Sequence, residues 1–300
     1  MRVAVCNAID EIDAGLWNRL VRDNNPFLKH QFLAALERHG CVSERFGWSP
    51  RHLVLWQGKD LVAAMPLYLK QNSYGEFVFD HAWANAYERQ GLHYFPKLVS
   101  AVPYTPATGQ RLLVAPDISV QEVRPVLMHH AVELAIKLQV SSLHWLFVTE
   151  QEAGQFLKEG FYQRLNVQFH WHNRGYQAFD DFLTVLTAKR RKNIRRERRV
   201  VQQAGLQIRL LHGPEVSREE WGIFARFYTK TFEERMSLPT LNRGFFSEIG
   251  RTLGDQVILV LCYDRGEAVA GALMFRSDNT LYGRHWGCAR AVSYTHLRAH

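Results

Sequence analysis

His52-Leu-Val-Leu-Trp56, Gln57-Gly-Lys-Asp60 and Leu61-Val-Ala-Ala-Met-Pro-Leu-Tyr-Leu69 form an apolar run, a polar turn containing glycine, and a second apolar run rich in small residues. That order is the signature of a strand pair closed by a tight turn. It occurs twice. Val257-Ile-Leu-Val-Leu-Cys262, Asp264-Arg-Gly-Glu267 and Ala268-Val-Ala-Gly-Ala-Leu-Met-Phe275 repeat it, and Ala63-Ala64 aligns with Ala270-Gly271.

The repeat extends upstream. A short strand (Val3 to Cys6, or Gln207 to Leu211) precedes a helix carrying Trp17 or Trp221. A second helix follows, over Gln31 to His39 or Phe245 to Leu253. Apolar residues fall three and four apart in these helices, as in Phe32, Leu33, Leu36 and in Trp221, Phe224, Ala225, Tyr228. Each half therefore begins β-α-α-β-β. After its hairpin the first half passes through an aromatic-rich stretch, Ser73 to Gly109, to a strand at Arg111 to Val114. A helix with Val120, Val123, Leu127, Ala131, Leu134 and Leu138 on one face follows. Then come a strand at Leu143 to Val148, a helix at Glu150 to Lys158 and a strand at Phe161 to His172. The second half holds only Arg276 to His300 after its hairpin, enough for one strand over Thr280 to Trp286.

The 300 residues suit two domains, and 47% hydrophobic with 22% charged residues excludes a disordered chain. No apolar run approaches the roughly 20 residues of a membrane span. Asp10, Glu11 and Asp13 do not suit a targeting peptide, so a cytoplasmic protein is expected. Cys6, Cys41, Cys262 and Cys288 lie far apart with no CxxC pair, which argues against zinc and disulfide frameworks. Lys+Arg 37 against Asp+Glu 29 leaves +8, much of it in one segment. Lys189 to Arg199 carries eight basic residues and one acid, Glu197. The closing Val292 to His300 reads as the translation of a sequencing adapter, so a chain cut near Ala291 is expected, with no function for His296 or His300.

The order β-α-α-β-β-β-α-β-α-β, taken twice, resembles the GNAT acyltransferase fold in tandem. The stretches Ser73 to Gly91, Tyr94 to Val114, Phe169 to Arg199 and Leu281 to Cys288 are similar to the FemAB-like group of tandem-GNAT proteins associated with peptidoglycan precursors. The resemblance implies an α/β (α+β) architecture with a mixed central sheet flanked by helices, its second copy incomplete. The expected units are a first GNAT-like domain over 1–172, a basic helix over 173–204, the N-terminal half of a second domain over 205–291, and a non-native tail over 292–300. It also implies transfer of an acyl or aminoacyl group to an amine, with a peptidoglycan precursor as the candidate acceptor. The donor would be acyl-CoA or aminoacyl-tRNA, and no metal is expected. Ala115-Pro-Asp-Ile-Ser119 lacks the glycines that cradle a pyrophosphate, and Asp117 would repel one, so the first half is not expected to bind coenzyme A in the usual way.

Four groups of residues are candidates for a site. Asp80, Trp83, Tyr87, Glu88 and Arg89 place acids, rings and a base together; Glu88 or Asp80 is a candidate general base, Tyr87 an acid, and Trp83 and Arg89 substrate contacts. Tyr104, Thr105, Thr108 and Arg111 offer hydroxyls in a proline- and glycine-shaped loop and a guanidinium able to clamp a carboxylate or phosphate. Arg284 and His285 stand at the end of the last strand, His285 as a candidate base. A single long helix from Ala178 to Ala204 would carry two rows at three- and four-residue spacing, Arg191, Arg195, Arg198 and Lys192, Arg196, Arg199, suited to phosphates of tRNA or of a diphosphate-linked precursor. His170 and His172 share a strand face but lack a third ligand, so metal binding is not expected. The rival functions are a non-catalytic recognition module of the same fold and an RNA-binding protein acting through the basic helix.

Overall fold

A computed structural model describes residues 1–289; Val292 to His300, and the expectations attached to them, lie outside the described residues. The first half runs β1 (Arg2–Cys6), α1 (Ala14–Asn18), α2 (His30–Arg38), β2 (Trp48–Pro50), β3 (His52–Gln57), β4 (Asp60–Met65), β5 (Tyr68–Lys70), α3 (His81–Arg89), β6 (Lys97–Ser100), β7 (Leu113–Val114), α4 (Val120–Lys137), β8 (Leu143–Trp145) and α5 (Glu150–Lys158). Two helices, α6 (Phe179–Thr184) and α7 (Ala188–Gln203), lead to the second half. That half runs β9 (Gln207–His212), α8 (Arg218–Glu233), α9 (Arg243–Leu253), β10 (Val257–Asp264), β11 (Glu267–Arg276) and β12 (Leu281–Cys288).

The duplication is visible in the strand register. One sheet has the order β1-β3-β4-β7 and another β9-β10-β11-β12. In the first, Leu53, Val54 and Leu55 pair with Met65, Ala64 and Ala63. In the second, Val260, Leu261 and Cys262 pair with Ala272, Gly271 and Ala270, every position displaced by the same offset that aligns Ala63 with Ala270. Both hairpins bulge at the equivalent step, between Leu55 and Trp56 and between Cys262 and Tyr263. A bulge shifts the side chains beyond it to the other face, so sharing one is a strong mark of common descent. The helices repeat too. Trp17 and Trp221 are fully buried in one shared core, Trp17 donating to the Leu28 carbonyl and Trp221 stacked on Phe246. The helices bearing them, α1 and α8, both begin at a side-chain cap, Asp13 accepting from the Leu16 amide and Ser217 from the Glu220 amide.

The copies differ in what covers them. On the first, α4 lays Val123, Leu127 and Ala131 over the sheet face bearing Leu53, Leu55, Ala63 and Met65. The matching face of the second carries Val260, Cys262, Ala270 and Ala272, and leaves Ile208, Leu210 and Trp286 exposed. The halves join through aromatic packing: Phe27 meets Phe275 at 5.0 Å between ring centroids, and Phe32 meets Phe245 at 5.6 Å. Beside it Arg38 bonds both Asp10 and Glu248, linking the halves by charge.

Three local expectations are corrected. The sheet of the first half, expected as one, is two: β2-β5-β6-β8 stands apart, and its parallel β6–β8 pair supplies the mixed character expected; β2, β5 and β6 are too short for periodicity to reveal. The long helix is two, because Thr187 stops the chain and caps α7 by accepting from the Arg190 amide. The stretch Phe161 to His172 keeps the alternation of a strand but pairs with none; side-chain bonds from Arg164 and Gln168 hold it instead.

Candidate functional site

In the first half β6 and β8 run side by side only from Leu98 to Ser100 against Leu143 to Trp145. Beyond Ser100 the chains separate, and the loop 101–112 enters the gap. Its Gly109 amide donates to the Phe147 carbonyl at 3.0 Å, and Arg111 Nε donates to the Leu146 carbonyl at 2.8 Å. The same guanidinium reaches the carbonyls of Gln110 and Ala107, both at 2.9 Å. Glu152 accepts from the Arg111 and Leu112 amides at 2.9 and 2.8 Å and so anchors the loop to α5. Arg111 is fully buried, and burial lowers its pKa to about 10. Nε, Nη1 and Nη2 of Arg111 thus each already donate to a backbone carbonyl, which leaves less of the fork for the clamp expected of it. Asp117, ahead of α4, is paired with Arg19 at 2.8 Å, which holds its carboxyl below the usual range.

The other end of this loop faces the second half. Tyr104 adopts a left-handed backbone (φ 58°) and donates its hydroxyl to the Cys41 carbonyl at 2.8 Å. Gly75 lies so close that a Cβ there would stand 2.4 Å from the Tyr104 ring. The Tyr104 carbonyl accepts from the Arg284 guanidinium. Tyr104, Thr105, Arg284 and His285, with Phe27 and Leu241, line one small pocket of about 10 Å³, room for about one water. Burial lowers Arg284 to about 10, and no carboxylate pairs with it among the described residues. Burial and the neighbouring Arg284 charge hold His285 neutral; its ring packs edge-on against Tyr228 at 5.1 Å. A desolvated guanidinium beside a neutral imidazole is suited to an anionic group. Thr108 lines a second, more polar pocket of about 160 Å³, with Arg22, Asn25, Gln110, Asn279 and Tyr282.

The remaining candidates are elsewhere. Trp83, Glu88 and Arg89 stand exposed on α3, and Tyr87 packs its ring on Tyr94 at 5.3 Å. The cations Arg191, Lys192, Arg195, Arg196 and Arg199 line the solvent side of α7, apart from the two pockets.

Asp80 belongs to a buried polar cluster that the sequence pattern does not disclose. Its carboxylate accepts from Lys97 Nζ at 2.5 Å, from the Tyr94 hydroxyl at 2.8 Å and from Arg164 at 2.8 Å. Burial opposes the charge on Asp80 most strongly, but the Lys97 bond and charge together with the Tyr94 bond outweigh it and the pKa is lowered. A carboxylate engaged by three donors is a weak proton acceptor. Glu76 takes the other bond from Lys97 at 2.8 Å. Lys70, directly opposite Lys97 in register, sits 3.8 Å from the Trp48 ring centroid, and burial lowers it to about 7. His144 is lowered to about 4 by burial and by Lys97. The available signal was Lys70 and Lys97 themselves, charged residues inside apolar runs.

No curated protein matches this chain. Among solved structures, FemX aligns with a TM-score of 0.50 at 12% identity, over 97% of this chain and 81% of that one. The C-terminal domain of a putative lysylphosphatidylglycerol synthetase from Agrobacterium fabrum aligns with a TM-score of 0.52 at 9% identity, over 95% and 70%. An aminoglycoside 6'-N-acetyltransferase from Acinetobacter haemolyticus matches 58% of this chain and 99% of its own, with a TM-score of 0.36 at 10% identity. The model of the FemAB-like family, described as peptidoglycan biosynthesis/recognition, matches residues 8–299. With tandem GNAT-like architecture and a family match along nearly its whole length, this chain belongs to the FemAB-like family.

Proposed function

We propose that the protein is a transferase that moves an acyl or aminoacyl group onto an amine of a peptidoglycan precursor. The family match over residues 8–299 carries this reading. The amine nitrogen attacks the donor carbonyl carbon, the bond from that carbon to its carrier breaks, and the ammonium proton passes to a base. In this scheme Tyr104, Thr105, Arg284 and His285 form the acceptor cleft, with Arg284 on an anionic group of the precursor. Thr108 binds substrate in the second pocket, beside Gln110 and Tyr282. Glu88 as base and Tyr87 as donor to the leaving group, with Trp83 and Arg89 beside them, stand on α3 outside that cleft, so in this scheme the acceptor amine reaches from the cleft to α3. Arg191, Lys192, Arg195, Arg196 and Arg199 hold phosphates of the precursor. No comparison points to tRNA, and it is not part of the proposal.

The test is mass spectrometry of a precursor bearing a free primary amine, incubated with the protein and a series of acyl thioesters and aminoacyl donors. Gain of the acyl mass is expected, and Glu88→Gln should lower kcat by about a hundredfold while leaving precursor affinity nearly unchanged. Full turnover by Glu88→Gln removes Glu88 from the mechanism. A second reading, recognition without chemistry, is favoured by one observation: Gly109 and Arg111 occupy the backbone carbonyls of Phe147 and Leu146, where a donor arm would pair as an added strand. Tight precursor binding with no mass gain from any donor supports it.

A further inference from the structure

The stretch Phe161 to His172 presents an apolar edge to water. Leu165, Val167, Phe169 and Trp171 alternate along it and are 80%, 84%, 99% and 64% exposed. The intervening polar residues tie the opposite side down. Arg164 bonds Asp80 and the Phe79 carbonyl at 2.8 and 2.9 Å, and Gln168 donates to the Pro106 carbonyl at 2.8 Å. The apolar edge is thus an oriented ridge. It continues at both ends. Through Arg164 it meets the insertion bearing exposed Phe79 and Trp83. At the other end Trp171 packs edge-on against Phe182 at 6.0 Å, and Phe182 in turn lies against Phe179. Phe179 carries the Arg198 guanidinium over its ring at 4.1 Å, and Arg195 reaches Asp180 beside it. The ridge therefore runs into the basic face of α7.

We infer that this ridge and the adjoining row Arg191, Arg195, Arg198 dock the protein on the surface of an anionic bilayer. Charge complementarity argues for that occupant, since eight basic residues against Glu197 in Lys189 to Arg199 border an apolar edge. Lipid phosphates next to acyl chains offer the same sequence of chemistry, anionic then apolar. Rings and guanidinium groups alone also suit single-stranded RNA, but Leu165 and Val167 offer a base nothing to stack on. Side chains this exposed, from 64% to 99%, are free to enter a deformable apolar phase. Apolar insertion and charge together supply the two signals that stable peripheral binding requires. Arg191 and Arg195 are shared with the phosphate-holding row of the proposed function, but vesicle binding is read without any transfer reaction, so failure of one reading is distinguishable from failure of the other.

Co-sedimentation of the full chain with vesicles tests it. Vesicles of phosphatidylcholine mixed with phosphatidylglycerol should bind the protein at least tenfold better than phosphatidylcholine alone. Phe169→Ser/Trp171→Ser and Arg195→Glu/Arg198→Glu should each weaken that binding at least tenfold while each variant keeps the wild-type circular-dichroism spectrum, since these side chains touch only surface neighbours of α6 and the adjoining loop. Equal binding to neutral and anionic vesicles overturns the inference, as does wild-type binding by the ridge variant. Binding of a single-stranded ribo-oligonucleotide that both variants lose, with no vesicle binding, assigns the surface to RNA and overturns it too.

Discussion

Two buried cations decide what the individual residues do. Lys70 titrates at about 7 when folded and at about 10.4 when unfolded. Between these values the unfolded chain holds a proton that the folded chain lacks, so this group makes stability rise as pH increases from about 7 to 10. Urea titrations across pH 7 to 9.5 should show a positive slope that Lys70→Met flattens; an unchanged slope would place the titration elsewhere. Arg111→Ala removes a guanidinium that serves the carbonyls of Leu146, Gln110 and Ala107. Leaving those acceptors buried should cost about 3 kcal/mol or more, read by urea titration, and Arg111→Lys should recover little because one ammonium cannot span the fork. At this scale the sequence was only half legible. The Tyr104 to Arg111 loop stood out by its prolines, glycine and arginine, yet the acceptor that explains Arg111 is Leu146, in a distant segment. Asp80 was noticed, but its partners Lys97 and Arg164 also come from elsewhere in the chain, and local spacing does not reveal them.

The elements were legible where they are long and periodic. Both hairpins, α4 and α5 follow their apolar patterns, and α5 ends at Lys158 before Gly160 as its sequence implies. The short strands β2, β5 and β6 carry too few residues for a pattern, and the break between α6 and α7 depends on a cap that a basic run conceals. Packing between elements yields its own test. A Cβ on Gly250 would stand 2.5 Å from the Trp221 ring, so α9 approaches α8 only with glycine there. Gly250→Ala should lose about 1–3 kcal/mol by forcing the helices apart. Trp17→Ala and Trp221→Ala, equivalent in the two copies and fully buried, should each lose about 3–5 kcal/mol. A much smaller loss in one of them would show that the two tryptophans no longer hold equivalent places.

Across the whole molecule the two copies share one large core, in which Phe27 and Phe32 of the first half surround Phe275 of the second, beside a separate core under α4 in the first half. Phe275→Ala should therefore lower amide-exchange protection in β3 and β4 as well as in β10 and β11; protection lost only from the second half would mean that the copies unfold separately. The duplication was the most legible feature of all, since the offset that aligns the two hairpins in sequence recurs in strand register and bulge position. The shared core was not, because a repeat tells that two units exist and says nothing about which faces meet. That meeting places Tyr104 and Thr105 against Arg284 and His285, and in the proposed function this junction receives a peptidoglycan precursor. Amide hydrogen exchange of the full chain, with and without a peptidoglycan precursor bearing a free amine, tests that placement most directly. Slowed exchange in 103–110 and 281–288, abolished by Arg284→Met, is the predicted result; saturating precursor that slows exchange only outside those segments would contradict it.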